Sequence, residues 1–200
     1  MVLKQKPKEI HLFEPIQKIY LSLFEKYDSL IEQKLVNISS FALFSKIGEQ
    51  QFYYYAKHPT LSTIYRRIKA EETEEHDIGL PNKPISVVTT TIDYYCGKRG
   101  VEHINYLKID TEGAEFDVMR GADKFLTEHR IDFVEFEYGG TYLDAGITLR
   151  QVYDFLNKKG YRVFRATRTD HQFIPSFSPK LEDYKYSIFI AIAPNIRFKR

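Results

Sequence analysis

The chain has 200 residues, 43% hydrophobic and 28% charged. That size suits one domain, residues 1–200, able to bury a sizeable core. A formal net charge of +2 argues against a nucleic-acid partner, for which a clustered basic face is expected.

One cysteine, Cys96, allows no internal disulfide, which fits a reducing compartment. No apolar run approaches the ~20 residues of a membrane span. The opening MVLKQKPKEI lacks the apolar segment of a signal peptide. A cytoplasmic chain is the resulting expectation.

In chain order, Glu9 to Glu14 has a short strand pattern ended by Pro15. Ile16, Ile19, Tyr20, Leu23, Phe24, Tyr27, Leu30 and Ile31 then recur at helical spacing, with Pro15 suited to the first turn. Val36 to Leu43 reads as a second strand. Ile47-Gly48-Glu49 is a turn signal, and Gln51 to Tyr55 reads as the return strand of a hairpin. Residues 56–83 are irregular, and their charge run Ala70 to Asp77 reads as a solvated face. Ile85 to Ile92 is β-branched and strand-like, and Asp93 stands where a helix N-cap is expected. Asn105 to Asp110 is a strand, followed by a helix carrying Phe116, Met119, Ala122, Phe125 and Leu126 on one face. Ile131 to Tyr138 is another strand, ended by Gly139-Gly140. Leu149, Val152, Tyr153 and Leu156, closed by Gly160, mark a further helix. Tyr161 to Arg165 and Tyr186 to Ala193 complete the set as an antiparallel pair. Alternating strands and helices imply an α/β fold, with a mainly parallel sheet and an antiparallel C-terminal strand pair.

Open α/β sheets bind ligands beyond the carboxyl ends of their strands, and three strands here end in acids: Glu14, Asp110 and Glu137. Glu14 suits ribose hydroxyls or, equally, the start of the following helix. Asp110 and Glu112 bracket a sharp strand-to-helix turn, where a carboxylate accepts a hydroxyl proton or caps the helix. Glu115 and Asp117 place negative charge in the helix's first turn, a structural use. Glu135 and Glu137 face the same side of their strand and need a partner, for which Lys108 is the candidate. Asp110, Glu112 and Glu137 offer oxygen ligands, but no histidine sits among them at ligand spacing, so no metal is expected. Cys96 lacks a nearby histidine in sequence and is not expected to be a nucleophile. Residues 56–83 and the loop from Thr141 to Thr148 are candidates to shape an acceptor site. Arg165, Arg168 and His171 suit an anionic group or simple solvation.

The segments HLFEPIQKIY, ISSFALFSKIGEQQFY, VVTTTIDYY, INYLKIDTEGAEFDVMRGADKFL and IDFVEFEY, taken together and in order, resemble the FkbM-type S-adenosylmethionine-dependent methyltransferases from about Ile10 to Tyr138. The resemblance implies a Rossmann-like methyltransferase sheet and O-methyl transfer from S-adenosyl-L-methionine to a sugar or other small-molecule hydroxyl. It implies Glu14 as the ribose acid, Phe41 and Ala42 as adenine-side contacts, and Asp110 beside the transferred methyl. Glu112 and Glu137 become acceptor-side polar groups. It also implies a first strand with a glycine-rich loop ahead of FEP, whereas MVLKQKPKE contains no glycine. Three alternatives follow: a strand from a partner chain or upstream segment, direct pairing of the two flanking strands, or a truncated reading. An inactive or partner-dependent subunit of the same fold is the competing function, and a nucleic-acid methyltransferase a third.

Overall fold

The computed structural model describes residues 7–55, 57–67 and 83–197; the charge run Ala70 to Asp77 lies outside them. In chain order the elements are β1 (Ile10–Phe13), α1 (Gln17–Lys26), α2 (Asp28–Glu32), β2 (Val36–Ser39), β3 (Ala42–Leu43), β4 (Gly48–Phe52), β5 (Ile85–Thr90) and α3 (Ile92–Arg99). They continue with β6 (Ile104–Ile109), α4 (Glu115–Arg120), α5 (Asp123–Thr127), β7 (Ile131–Tyr138), α6 (Thr141–Ala145), α7 (Leu149–Lys158), β8 (Arg162–Ala166), β9 (His171–Ile174) and β10 (Ser187–Ile192).

β7 organises the core because from Asp132 onward it alternates: Asp132, Val134, Phe136 and Tyr138 are buried on one face, Phe133, Glu135 and Glu137 are half-exposed on the other, and Ile131 at the strand's start is buried as well. It pairs parallel to β6 and antiparallel to β10, and the full order of this sheet is β6-β7-β10-β8-β9. Its buried face packs on α3, α4, α5 and α7 through Tyr95, Met119, Leu126, Val152 and Leu156. Two smaller sheets stand apart, β1-β2 in parallel and β3-β5-β4. The fold is α/β as expected, with mixed sheets in place of a mainly parallel one, because parallel pairing stops at β6-β7 and the sheet turns antiparallel from there to β9.

Several local expectations change. β4 does not fold back on β3. β5 lies between them, parallel to β3 and antiparallel to β4, with Val87, Thr89 and Thr90 buried. The single N-terminal helix breaks at Tyr27, where ψ is 15°, and the helix after β6 breaks at Gly121-Ala122. At the second break the Phe44 carbonyl approaches so closely that only a glycine fits at 121, since a Cβ there would collide with its oxygen. Thr91, not Asp93, caps α3 by accepting from the Tyr94 N–H at 3.1 Å. Asp93 instead reaches across to α5 and accepts from the N–H groups of Lys124 and Phe125 at 2.9 and 3.0 Å. It caps a helix 31 residues away, which no local pattern announces. Among the described residues, no helix is long and apolar enough to cross a membrane.

β1 and β6 do not pair, so direct pairing of the strands that end in Glu14 and Asp110 is excluded. Both are edge strands of separate sheets, yet both lean on the same core. The Phe13 ring meets Tyr95 of α3 edge-on at 4.7 Å, and His11 Nδ1 lies 2.9 Å from the Tyr95 hydroxyl.

Candidate active site

The β6-β7 register sets Lys108 opposite Glu135 and Ile109 opposite Phe136, so the next residues, Asp110 and Glu137, come out side by side at the carboxyl edge. Lys108 sits between them, with Nζ 2.5 Å from Asp110 and 4.0 Å from Glu137. Three acids surround this lysine, Asp110 foremost, and they raise its pKa against the lowering effect of burial. Glu137 also accepts a hydrogen bond from the Tyr186 hydroxyl at 3.0 Å. Glu135 is not the partner of Lys108; its carboxylate takes the Tyr106 hydroxyl.

Glu112 sits in the left-handed region at φ 55° and directs its carboxylate to Arg67, forming an ion pair. Burial raises the Glu112 pKa, and the Arg67 guanidinium opposes that rise. Arg67 is only 8% exposed and also donates from Nε to the Leu61 carbonyl at 2.9 Å. Removing it leaves a half-buried acid without its base. Arg67→Ala is therefore expected to cost about 2 kcal/mol or more of stability, read as a lower denaturant midpoint with unchanged slope.

The turn between the strand and the helix is held from below by Glu115, 1% exposed. Its carboxylate accepts from the Thr111 N–H at 2.9 Å, the Thr111 hydroxyl at 3.1 Å and the Gly113 N–H at 3.0 Å. Gly113 has φ 109°, and a Cβ there would press on the Thr141 carbonyl oxygen at 3.0 Å. The segment before residue 68 braces the same turn, with the Thr63 hydroxyl donating to the Thr111 carbonyl at 3.4 Å.

Glu14 follows β1, and its N–H bonds to the Ser39 carbonyl at 3.0 Å. One carboxylate oxygen accepts from the Ile16 N–H at 2.7 Å, the helix-start use; among the described residues the other has no partner. Burial raises this pKa, and the Ile16 bond opposes it. Phe41 lies beyond the end of β2, on the same edge as Glu14, and is 38% exposed. Ala42 is different: its side chain packs with Ile16, Phe52 and Val87, leaving only its backbone to meet a ligand. Asp110, Glu112 and Glu137 are thus brought together, while Glu14 and Phe41 form a second group on the carboxyl edge of β1-β2.

Cys96 is buried at 3% exposure, and its pKa is pushed up to about 11 by burial and by Asp93, which suits an inert thiol. Among the described residues no cluster of three or more His, Cys, Asp or Glu is placed to hold a metal. Arg165 bonds the Ser187 hydroxyl at 2.5 Å and approaches Asp183 at 3.8 Å, while Arg168 and His171 are exposed. Thr141 to Ala145 is a short helix, not an open loop. Sequence reading missed Arg67, Tyr186 and the bracing role of Glu115. Arg67 sits in a stretch without periodicity, and Tyr186 is one residue ahead of β10, so neither carried a signal. Glu115 did carry one, an acid two residues past a glycine, which fits a side chain folding back on its own turn.

The Methyltransferase FkbM domain matches residues 2–163 of the chain. The chain belongs to the FkbM methyltransferase family. Among its relatives is the 2-O-methyltransferase NoeI of Sinorhizobium fredii (strain NBRC 101917 / NGR234), 36% identical over 73 residues, which cover 36% of this chain and 30% of that protein. A solved structure, methyltransferase FkbM from Methylobacillus flagellatus KT, aligns with 92% of this chain and 36% of its own at a TM-score of 0.48 and 10% identity. The FkbM chain described here therefore matches well under half the length of either relative. The family match reaches past Tyr138 to β8, further than the motifs alone extend.

Proposed function

We propose that the chain carries an S-adenosyl-L-methionine-dependent O-methyltransferase site for a hydroxyl of a sugar or other small molecule. The observation that supports this most is the β6-β7 register, which sets Asp110 beside Glu137 at a strand edge with Lys108 between them and Glu112 held nearby. The residues present fit the donor. Glu14 keeps one carboxylate oxygen for ribose hydroxyls, and the exposed Phe41 ring offers a face for a base. When bound, the donor supplies an electrophilic methyl on a positive sulfonium. The chain's own residues do the rest. Asp110 accepts or directs the acceptor's hydroxyl proton, with Lys108 holding its carboxylate in place. Glu137 and Glu112 fix the acceptor's other hydroxyls, and the negative rim favours a cation. A single buried cysteine fits a cytoplasmic setting. Calorimetry with S-adenosylhomocysteine on the folded chain tests the reading; absence of binding at millimolar concentration overturns it.

A second reading rests on β1 and β6 standing at the ends of separate sheets, each paired on one side only among the described residues. In that reading an extended strand from a partner chain or an upstream segment completes the sheet, and the chain is inactive or partner-dependent without it. A monomer that binds S-adenosylhomocysteine and turns over alone removes this second reading.

A further inference from the structure

On the far side of the brace that ends at Arg67 lies a cavity of about 430 Å³ that none of the acids at the β6-β7 rim lines. Three alternate residues of the brace face the β6-α4 region: Thr63 bonds Thr111, Tyr65 bonds Asp117, and Arg67 bonds Glu112. Tyr65 thereby becomes a wall of the cavity, and the same short segment that holds Glu112 also shapes this second space.

Asp117 is the fixed point. It is 1% exposed and accepts from the Ser45 hydroxyl at 2.8 Å, the Tyr65 hydroxyl at 2.5 Å and the Arg120 guanidinium. With its charge answered, Asp117 offers little to a ligand, but it aims Arg120 into the cavity. The guanidinium lies 5.1 Å from the Phe116 ring centroid, and its side chain is 49% exposed. The exposed Lys46 also lines the cavity, and its ammonium has no partner among the described residues. Gln50 and Gln51 add amides at the rim, and the Tyr53 and Tyr65 rings with Ile64 provide apolar faces.

Rings that stack on the apolar face of a sugar, amides that match hydroxyls, and two cations against one buried acid make a specific combination. The volume falls in the ~300–1,000 Å³ range of small-molecule sites. We propose that this cavity binds an anionic sugar unit, a hydroxylated ring carrying a carboxylate or a phosphate, and anchors an acceptor whose reacting hydroxyl extends toward the Asp110 rim. The role as an anchor rests on the transferase reading; the binding itself does not.

Saturation-transfer NMR on the chain without any methyl donor separates the two. Glucuronate and glucose 6-phosphate are the probes, with glucose as a direct control and inorganic phosphate, which has no observable proton, read as a competitor of glucose 6-phosphate. Both probes, or one of them, are expected to bind, and which one binds identifies the anionic group. Glucose is expected to bind at least about five-fold more weakly, and inorganic phosphate not to match glucose 6-phosphate. Lys46→Gln, at an exposed position that does not threaten folding, is expected to weaken the probes about five-fold or more. Equal binding of glucose, equal binding of bare phosphate, no binding of either probe, or an unchanged affinity in Lys46→Gln each overturns the proposal. Probe binding by a chain that fails to bind S-adenosylhomocysteine retains the cavity and removes the transferase reading; the reverse result removes the cavity alone.

Discussion

Glu115→Ala is expected to cost the fold about 3 kcal/mol or more, the largest single effect in the chain. The side chain is 1% exposed and takes three hydrogen bonds from the turn above it. Truncation removes a filled volume and at once orphans the N–H groups of the half-buried Thr111 and the buried Gly113. The loss is read as a fall in denaturant midpoint. A pH dependence accompanies it. Burial raises the Glu115 pKa from 4.5 to about 7, against the opposing bonds from Thr111 and Gly113. The folded carboxyl holds its proton more tightly than the unfolded one. Its contribution to stability is therefore fully present below about 4.5, declines as pH rises through the interval, and is lost above about 7. Glu115→Gln has no such proton and is expected to flatten that part of the stability profile. A mutant profile with the wild-type slope between those values would show that another group titrates.

Asp110→Asn is expected to lower kcat by about a hundred-fold or more while leaving the fold intact. The carboxylate is 43% exposed and, among the described residues, bonds only Lys108, so little stability depends on it. An amide keeps the shape but accepts no proton and presents a donor where an acceptor is needed. Glu137→Gln is expected to act more weakly, mainly on KM, because Tyr186 continues to hold its oxygen. A wild-type rate in Asp110→Asn, measured as methyl transfer to a sugar acceptor under saturating donor, would move the proton-accepting role to another residue.

The elements with long, regular patterns were readable before any coordinates. β7 alternates from Asp132 to Tyr138, and α7 has its apolar stripe of Leu149, Val152, Tyr153 and Leu156. Of the acids at strand ends, Asp110 and Glu137 do come side by side where β6 and β7 run parallel, whereas Glu14 follows a strand of a separate sheet and does not join them. What escaped depends on distance in the chain. Asp93 as a cap for α5, Arg67 as the base for Glu112, and β5 between β3 and β4 are contacts across 31, 45 and 33 or more residues. Local propensity carries no trace of such pairings. The split of the helix after β6 was partly visible, since Gly121 stood in the pattern. The close Phe44 carbonyl, which only a glycine at 121 admits, was not.

The division into separate sheets has a consequence for how the molecule opens. The large hydrophobic cluster draws its buried members from Ile92 onward, whereas the earlier strands share a cluster of only Ile16, Ala42, Phe52 and Val87. Resistance to amide deuteration should follow that partition, slowest in β7 and β10 and faster by orders of magnitude in β1 to β4. The half of the chain that carries Glu14 and Phe41 then breathes on its own, and a ligand that spans both halves would be felt first as a slowing of exchange there.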